Sequence, residues 1–343
     1  MEKILIIDDL LPNGEDTSAS KIGKKIEELG GSCIFLRYAD LVNNKSKLSV
    51  SYVDGRQSIL FCKNDVCVDL KKEISSVLSW RPRYPEDKIK GKLSGDELNF
   101  FYREWQNFLK SIKLCLKHCF WLNPFPQNIV YEEKLRQLEI AQKIGLKIPH
   151  SFITTSLSDA SIYFKNIGED VIYKPFTQGS FQQKDKDGRM IPYGLYTSII
   201  DKKDLRDARP EFPTPNIFQV YVPKKVEIRI TCVGKAVMAC EIHSQDSEIS
   251  KHDWRKYDLE NTPYLKHSLP SDIEQYCLQL LSEFDLTYGC IDMVITPEDE
   301  YVFLELNPNG QFGWIEEMTK LPILENIARM LIAGSIDYDI KTW

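Results

Sequence analysis

The sequence predicts a mixed α/β protein built from several lobes, and three observations carry that expectation. The first forty residues alternate strand, helix and strand. The middle of the chain sets an amphipathic helix before short apolar strands. The last third holds two apolar strand-like runs that each carry hard oxygen ligands, a pattern of strands and helices that belongs to layered α/β architectures.

In order along the chain, Lys3 to Asp8 is an apolar strand. Ser18 to Leu29 reads as a helix closed by Gly30-Gly31, and Cys33 to Tyr38 as a second strand. Asp54-Gly55 and Lys63-Asn64-Asp65 mark tight turns between short strands, a β-meander, before a helix expected from Lys71 to Leu78. A long helix rich in Phe, Trp and Leu is expected from Asp96 to Cys119. It ends at Trp121-Leu122-Asn123-Pro124-Phe125-Pro126, where the first domain, 1–122, is closed. The pair Asp8-Asp9 after the first strand is also how the acidic pocket of a phosphorelay receiver begins. That fold needs a phospho-acceptor Asp after its third strand, and here a meander intervenes.

A second part, 123–214, opens with a helix from Glu132 to Ile144 that sets Leu135, Leu138 and Ala141 on one side and is capped by Gly145. Ile148-Pro149 starts a strand. Lys134 lies in the helix, where position alone reads it as a solvated face. Lys174, in Val171-Ile172-Tyr173-Lys174-Pro175, is a charge within a strand, which burial tolerates only with a partner. Thr177-Gln178-Gly179-Ser180 follows, a small loop able to close over phosphates with its amides. The third part, 215–343, contains the strand Ile217 to Pro223. An antiparallel pair follows, Glu227 to Gly234 and Met238 to Ser244, turning at Gly234-Lys235, with Arg229 on the same face as Glu227. The last helix, Ile323 to Ala333, is expected to pack the C-terminal lobe.

The chemistry is densest near the C-terminus. Tyr288-Gly289-Cys290-Ile291-Asp292-Met293-Val294 and Tyr301-Val302-Phe303-Leu304-Glu305-Leu306-Asn307 are separated by the turn residues Thr296-Pro297-Glu298-Asp299. Paired as a hairpin, they bring Asp292, Glu305 and Asn307 together, since alternation puts Glu305 and Asn307 on one face. Two carboxylates and an amide oxygen suit Mg2+, which takes few protein ligands and fills its octahedron with water and phosphate oxygens. The bland alternative is an acidic strand edge.

These residues resemble the metal-binding end of the ATP-grasp superfamily, which carries an Asp on one strand and Glu-x-Asn on the next. The longer run Phe303-Leu304-Glu305-Leu306-Asn307-Pro308-Asn309-Gly310-Gln311-Phe312-Gly313-Trp314 and the triplet Asp253-Trp254-Arg255 resemble the branch that macrocyclises ribosomal peptides, the graspetide or microviridin-type synthetases. The resemblance implies an ATP-grasp fold behind an N-terminal βαβ domain, with ATP and Mg2+ as cofactors. It makes Lys134 and Lys174 phosphate ligands and gives the adenine to the hinge at Gln219, Tyr221 and Val222. Glu227 would hold the ribose, and Arg229 and Arg255 would form an anion clamp. Its partner would be a precursor peptide with a leader and a Thr/Glu-rich core, activated at Asp or Glu as an acyl phosphate and closed by Thr or Ser as an ester, or by Lys as an amide. It also implies a homodimer. Trp80-Arg81-Pro82 is similar to a Trp-x-Arg-Arg-Pro signature with the second Arg at 83. Two alternatives share the same residues: a ligase adding a free amino acid to a peptide or small acid, and a nucleotide-binding scaffold without turnover. His252 and Asp253 are only nearby candidates for the general base.

Composition sets limits. A net charge of -6 with no basic tract gives no sign of nucleic acid. The N-terminus is too acidic for a signal peptide, and no apolar run approaches the roughly 20 residues that span a bilayer, so a cytoplasmic protein is expected. The nine cysteines lack any Cys-x-x-Cys and are expected to be reduced core thiols, including the helix cluster Cys115, His118 and Cys119.

Overall fold

The computed structural model describes residues 3–8, 17–82, 89, 92–125, 133–165, 167–176, 180–184, 190–194, 197–201, 214–246 and 262–343. Strand β1 (Lys3–Ile7), helix α1 (Ser18–Glu28) and strand β2 (Cys33–Leu36) open the chain, with the Thr17 hydroxyl capping α1. The β-meander follows as β3 (Ser46–Val53), β4 (Arg56–Lys63) and β5 (Val66–Asp69). Its turns are the expected ones: Asp54, Gly55, Asn64 and Asp65 all have positive φ, the backbone a two-residue hairpin demands.

Four expectations in this half are corrected. The residues expected as a helix from Lys71 to Leu78 form one helical turn, Leu70–Glu73, and then strand β6 (Ile74–Ser79). β6 lies between β1 and β7 (Phe120–Leu122) in a four-stranded parallel sheet of order β2-β1-β6-β7. Parallel strands covered on both faces lose their apolar alternation, so their periodicity does not separate them from a buried helix. Ser76, Val77 and Leu78 are all fully buried. Likewise β2 stops at Leu36, with a short helix at Tyr38–Val42, and the long helix α2 (Gly95–Cys115) ends before β7. Finally, Cys62 and Cys67 face each other across β4 and β5 and are joined as a disulfide, where reduced thiols were expected. Directly opposed strand positions bring side chains within bonding reach. The other seven cysteines form no disulfide, and the Cys119 thiol donates to the Ile74 carbonyl.

Helix α3 (Lys134–Lys143) leads to β8 (Ser151–Thr154), helix α4 (Leu157–Tyr163) and β9 (Val171–Lys174). Strands β10 (Ser180–Lys184) and β11 (Met190–Gly194) form a separate ladder, followed by β12 (Ser198–Ile200) and β13 (Asn216–Val220). The central sheet has the order β12-β9-β13-β8 and packs on α4 through Ala160, Phe164, Val171 and Phe218.

The C-terminal sheet comprises β14 (Val226–Val233), β15 (Ala236–Ile242), β16 (Tyr264–His267), β17 (Tyr288–Ile295) and β18 (Tyr301–Asn307), ordered β16-β15-β14-β17-β18 and antiparallel throughout. One face packs on α3 and α5 (Ser271–Glu283), burying Ile228, Ile230 and Phe303 against Ile140, Cys277 and Leu280. The buried face of α3 is Gln137, Ile140 and Ala141, whereas Leu135, expected on that face, is exposed.

Two further helices, α6 (Gly313–Thr319) and α7 (Ile323–Ala333), close the chain. α7 has the expected bounds and ends in Gly334 with left-handed φ, but it packs more than the C-terminal lobe. Ile327, Ala328 and Leu331 share one cluster with Ile4, Ile6 and Ile22 of the parallel sheet and its helix, and with Met238 and Tyr288 of the C-terminal sheet.

Two outcomes follow from this packing. Leu331→Ala should cost about 2–5 kcal/mol by leaving a cavity between the sheets, measured by denaturant unfolding. Lys113 sits under Phe125 with its ammonium donating to the Ser79 hydroxyl, and burial pushes its pKa down to about 8. The unfolded chain therefore keeps this proton as pH rises from 8 toward 10.5 while the folded protein releases it. Stability should rise with pH across that window, and Lys113→Met should abolish the rise.

Candidate active site

The hairpin β17–β18 forms as expected, with Asp292 directly opposite Glu305 and Cys290 opposite Asn307. A bulge follows immediately, since the register shifts between Asp292 and Met293, and bulges recur where a strand must re-aim side chains. The Asn307 amide lies 3.1 Å from an Asp292 oxygen and 3.3 Å from a Glu305 oxygen. All three expected metal ligands are thus brought together.

Arg229 stands beside them. β14 pairs it with Asp292, and its Nη1 lies 2.8 Å from each Asp292 oxygen, with both side chains buried. Burial opposes its charge, but the Asp292 carboxylate outweighs that cost and holds the guanidinium more firmly charged than an ordinary arginine. Like charges directly opposite on a sheet destabilise it, and one Arg neutralises one of the two carboxylates. The remaining negative charge, the hard oxygens and the amide, whose oxygen and nitrogen exchange by a simple flip, fit a divalent cation such as Mg2+. Among the described residues no group of three or more His, Cys, Asp or Glu is arranged to hold a metal.

The loop after Asn307 is gripped at four successive carbonyls. Asn123 Nδ2 donates to Pro308, the Arg81 guanidinium twice to Asn309, the Tyr288 hydroxyl to Gly310, and Arg229 Nη2 reaches Gln311 at 3.5 Å. Gly310 is obligatory there, since a Cβ would lie 2.7 Å from Arg229 Nη2 and closer still to Cys290. Asn123, 2 % exposed, also accepts from the N–H groups of Thr287 and Tyr288. Sequence reasoning marked Asn123 only as a boundary residue and left Arg81 without a role. The signal for Asn123 was its type, a polar residue in an otherwise apolar run.

Elsewhere the expected residues divide. Lys134 Nζ donates to the Pro175 carbonyl at 2.9 Å, which ties α3 to the end of β9 beside the half-buried Lys174. Glu227 is buried, paired with the Lys224 ammonium and accepting from the Ser244 hydroxyl at 3.1 Å. In the hinge, the Gln219 amide donates to the Ser151 hydroxyl, and the N–H groups of Val220 and Tyr221 donate to the carbonyls of His150 and Asp170. Burial, with Glu227 and Asp170 nearby, raises the Tyr221 phenol above its ordinary range, so it stays neutral. Asp9, Arg83, the loop Thr177–Gly179 and the segment with His252, Asp253, Trp254 and Arg255 lie outside the described residues.

The opposed carboxylates generate a paired outcome. Glu305→Gln should stabilise the metal-free protein by about 0.2–1 kcal/mol, because a like-charge pair is lost. The same variant should abolish saturable Mn2+ binding in the presence of ADP, read by electron paramagnetic resonance. Retained Mn2+ affinity would sink the metal assignment.

No family model and no curated protein matches this sequence. Solved structures do. A RiPP-associated ATP-grasp ligase of Chryseobacterium gregarium, in complex with ADP and a leader and core peptide, is 30% identical, with 98% of each chain covered and a TM-score of 0.83. The macrocyclase MdnC of Microcystis aeruginosa, bound with the precursor peptide MdnA, is 24% identical over 96% of this chain and 99% of its own, at a TM-score of 0.78. D-alanine–D-alanine ligase of Bacillus anthracis, complexed with ATP, shares 13% identity at a TM-score of 0.54, covering 98% of this chain and 97% of its own. The latter two show the fold alone. Identity of 30% maintained over nearly the whole of both chains shows more: this chain belongs to the RiPP-associated ATP-grasp ligases.

Proposed function

We propose that the protein is an ATP-dependent macrocyclase of a ribosomal precursor peptide. The observation that carries this reading is the cluster of Asp292, Glu305 and Asn307 beside a buried Arg229. Support comes from the Chryseobacterium ligase, whose structure contains ADP with a leader and core peptide. Mg2+ held by Asp292, Glu305 and Asn307 would neutralise the β- and γ-phosphates of ATP and polarise the transferring group. Lys134 and Lys174, brought together through Pro175, would hold the phosphate chain. The backbone of Val222, just past the hinge N–H groups already engaged, would read the adenine edge, with Gln219 and Tyr221 shaping the strand and Glu227 facing the ribose.

An Asp or Glu side chain of the peptide attacks the γ-phosphorus, ADP leaves, and the carboxylate becomes an acyl phosphate. A Thr or Ser hydroxyl of the same peptide then attacks the acyl carbon, loses its proton and expels phosphate, leaving a side-chain ester; a Lys amine would leave an amide. Arg229 would stabilise the phosphoryl oxygens and the oxyanion of this step, and Arg255 is a second candidate by its motif. The leader would dock on the enzyme and raise the local concentration of a Thr/Glu-rich core.

We also propose a homodimer and a cytoplasmic location, where ribosomal peptides are made. No described helix is long and apolar enough to cross a membrane. The division into 1–122, 123–214 and 215–343 is likewise our proposal, although α3, within the second stretch, packs on the sheet of the third.

With its precursor peptide, the enzyme should remove one water from the peptide per ATP consumed, seen by mass spectrometry, with no free amino acid required. A gain of one amino-acid residue's mass would establish the simple ligase instead. The rings should open in mild alkaline methanol, as esters do; survival with a blocked precursor Lys would identify amides. Arg229→Lys keeps the charge but loses the planar fork, so kcat should fall at least tenfold with the KM for ATP changed far less.

A further inference from the structure

Glu305 and Asn307 lie on β18, the edge strand of its sheet, with β17 on one side only. Such a strand is held by a ladder on one side only, and the bulge interrupts that ladder beside the expected ligands. The outer edge of β18 is nevertheless engaged. Phe303 N–H donates to the Lys147 carbonyl at 2.8 Å, beyond the end of α3. Leu306, the residue between the two ligands, makes a reciprocal pair with one side chain: its N–H donates to Gln137 Oε1 at 2.8 Å, and its carbonyl accepts from Gln137 Nε2 at 3.0 Å. Gln137 is 2 % exposed and sits on the buried face of α3 among Ile140 and Ala141.

A carboxamide presents a donor and an acceptor side by side, as a strand backbone does, and a twin bond to one residue resists sliding in either direction. We propose that Gln137 is a positioning residue for the metal site, its amide standing in for a missing neighbouring strand and setting the placement of Glu305 and Asn307. The inference rests on the metal reading above. The same helix begins at Lys134, whose ammonium holds the Pro175 carbonyl next to Lys174, so α3 spans from the expected phosphate strand to the expected metal strand.

A merely structural role, covering a sheet edge, would cost stability and nothing else. The test uses Mn2+ as the probe ion, titrated by electron paramagnetic resonance with ADP present, alongside ADP binding without metal by calorimetry. Gln137→Leu removes both bonds. It should weaken Mn2+ binding at least tenfold while metal-free ADP binding stays within twofold. Gln137→Glu keeps the acceptor for Leu306 N–H but loses the donor; it should lose Mn2+ affinity by a smaller but clear factor, above threefold, and serves if the Leu variant does not fold. Ile140→Ala, on the same buried face but removing no hydrogen bond to β18, supplies the stability control and should leave Mn2+ affinity within twofold. The proposal is overturned if folded Gln137 variants bind Mn2+ within twofold of the wild type, or if Ile140→Ala reproduces their loss. Glu305→Gln separates the two ideas: if it binds Mn2+ like the wild type, the metal reading fails, whereas its loss alongside intact Gln137 variants defeats the positioning role alone.

Discussion

Two carboxylates facing each other across β17 and β18 form the constraint around which this protein is arranged. Asp292, which is buried, and Glu305, which is half-buried, set like charges at opposed positions of the sheet. Arg229 answers half of that repulsion from the neighbouring strand, and a divalent cation would answer the rest. Without a cation such a site would keep that unanswered charge, and the neighbouring elements fix where it stands.

That support comes from both sides of the C-terminal sheet. On one side α3 carries Gln137 to the outer edge of β18 and Lys134 to the end of β9. On the other, Arg81 and Asn123 extend from the ends of parallel strands β6 and β7 to take the carbonyls of Asn309 and Pro308. The N-terminal sheet thereby acts as a buttress for the loop that follows the last expected ligand. Trp80 reinforces it by packing edge-on against Tyr288 and Phe312.

The sequence disclosed the centre of this arrangement better than its frame. Asp292, Glu305 and Asn307 were legible because hard ligands inside apolar strands, separated by a turn, admit few geometries. The hairpin turns of the meander and the bounds of α7 were legible for the same local reason: Asp-Gly and Asn-Asp turns and a terminal Gly have specific backbone needs. β6 was not legible, because burial on both faces erases the periodicity that separates strand from helix. Nor was the pairing of Arg229 with Asp292, since register across β14 and β17 is a tertiary outcome. Gln137 and Asn123 escaped notice because a single amide declares no purpose until the backbone it serves is in view.

Helix α7 has a consequence for how the chain reaches this state. It fills the space between the parallel sheet, made first, and the antiparallel sheet, made last, and its Ile327 and Leu331 meet Ile4 and Ile22 from the opposite end of the chain. Contacts so remote in sequence close the largest possible loops, which slows their formation. While the polypeptide is being synthesised, the apolar face of β1 and α1 must wait, uncovered, for almost the entire chain to appear. The core of the N-terminal lobe is therefore completed only when α7 packs onto it.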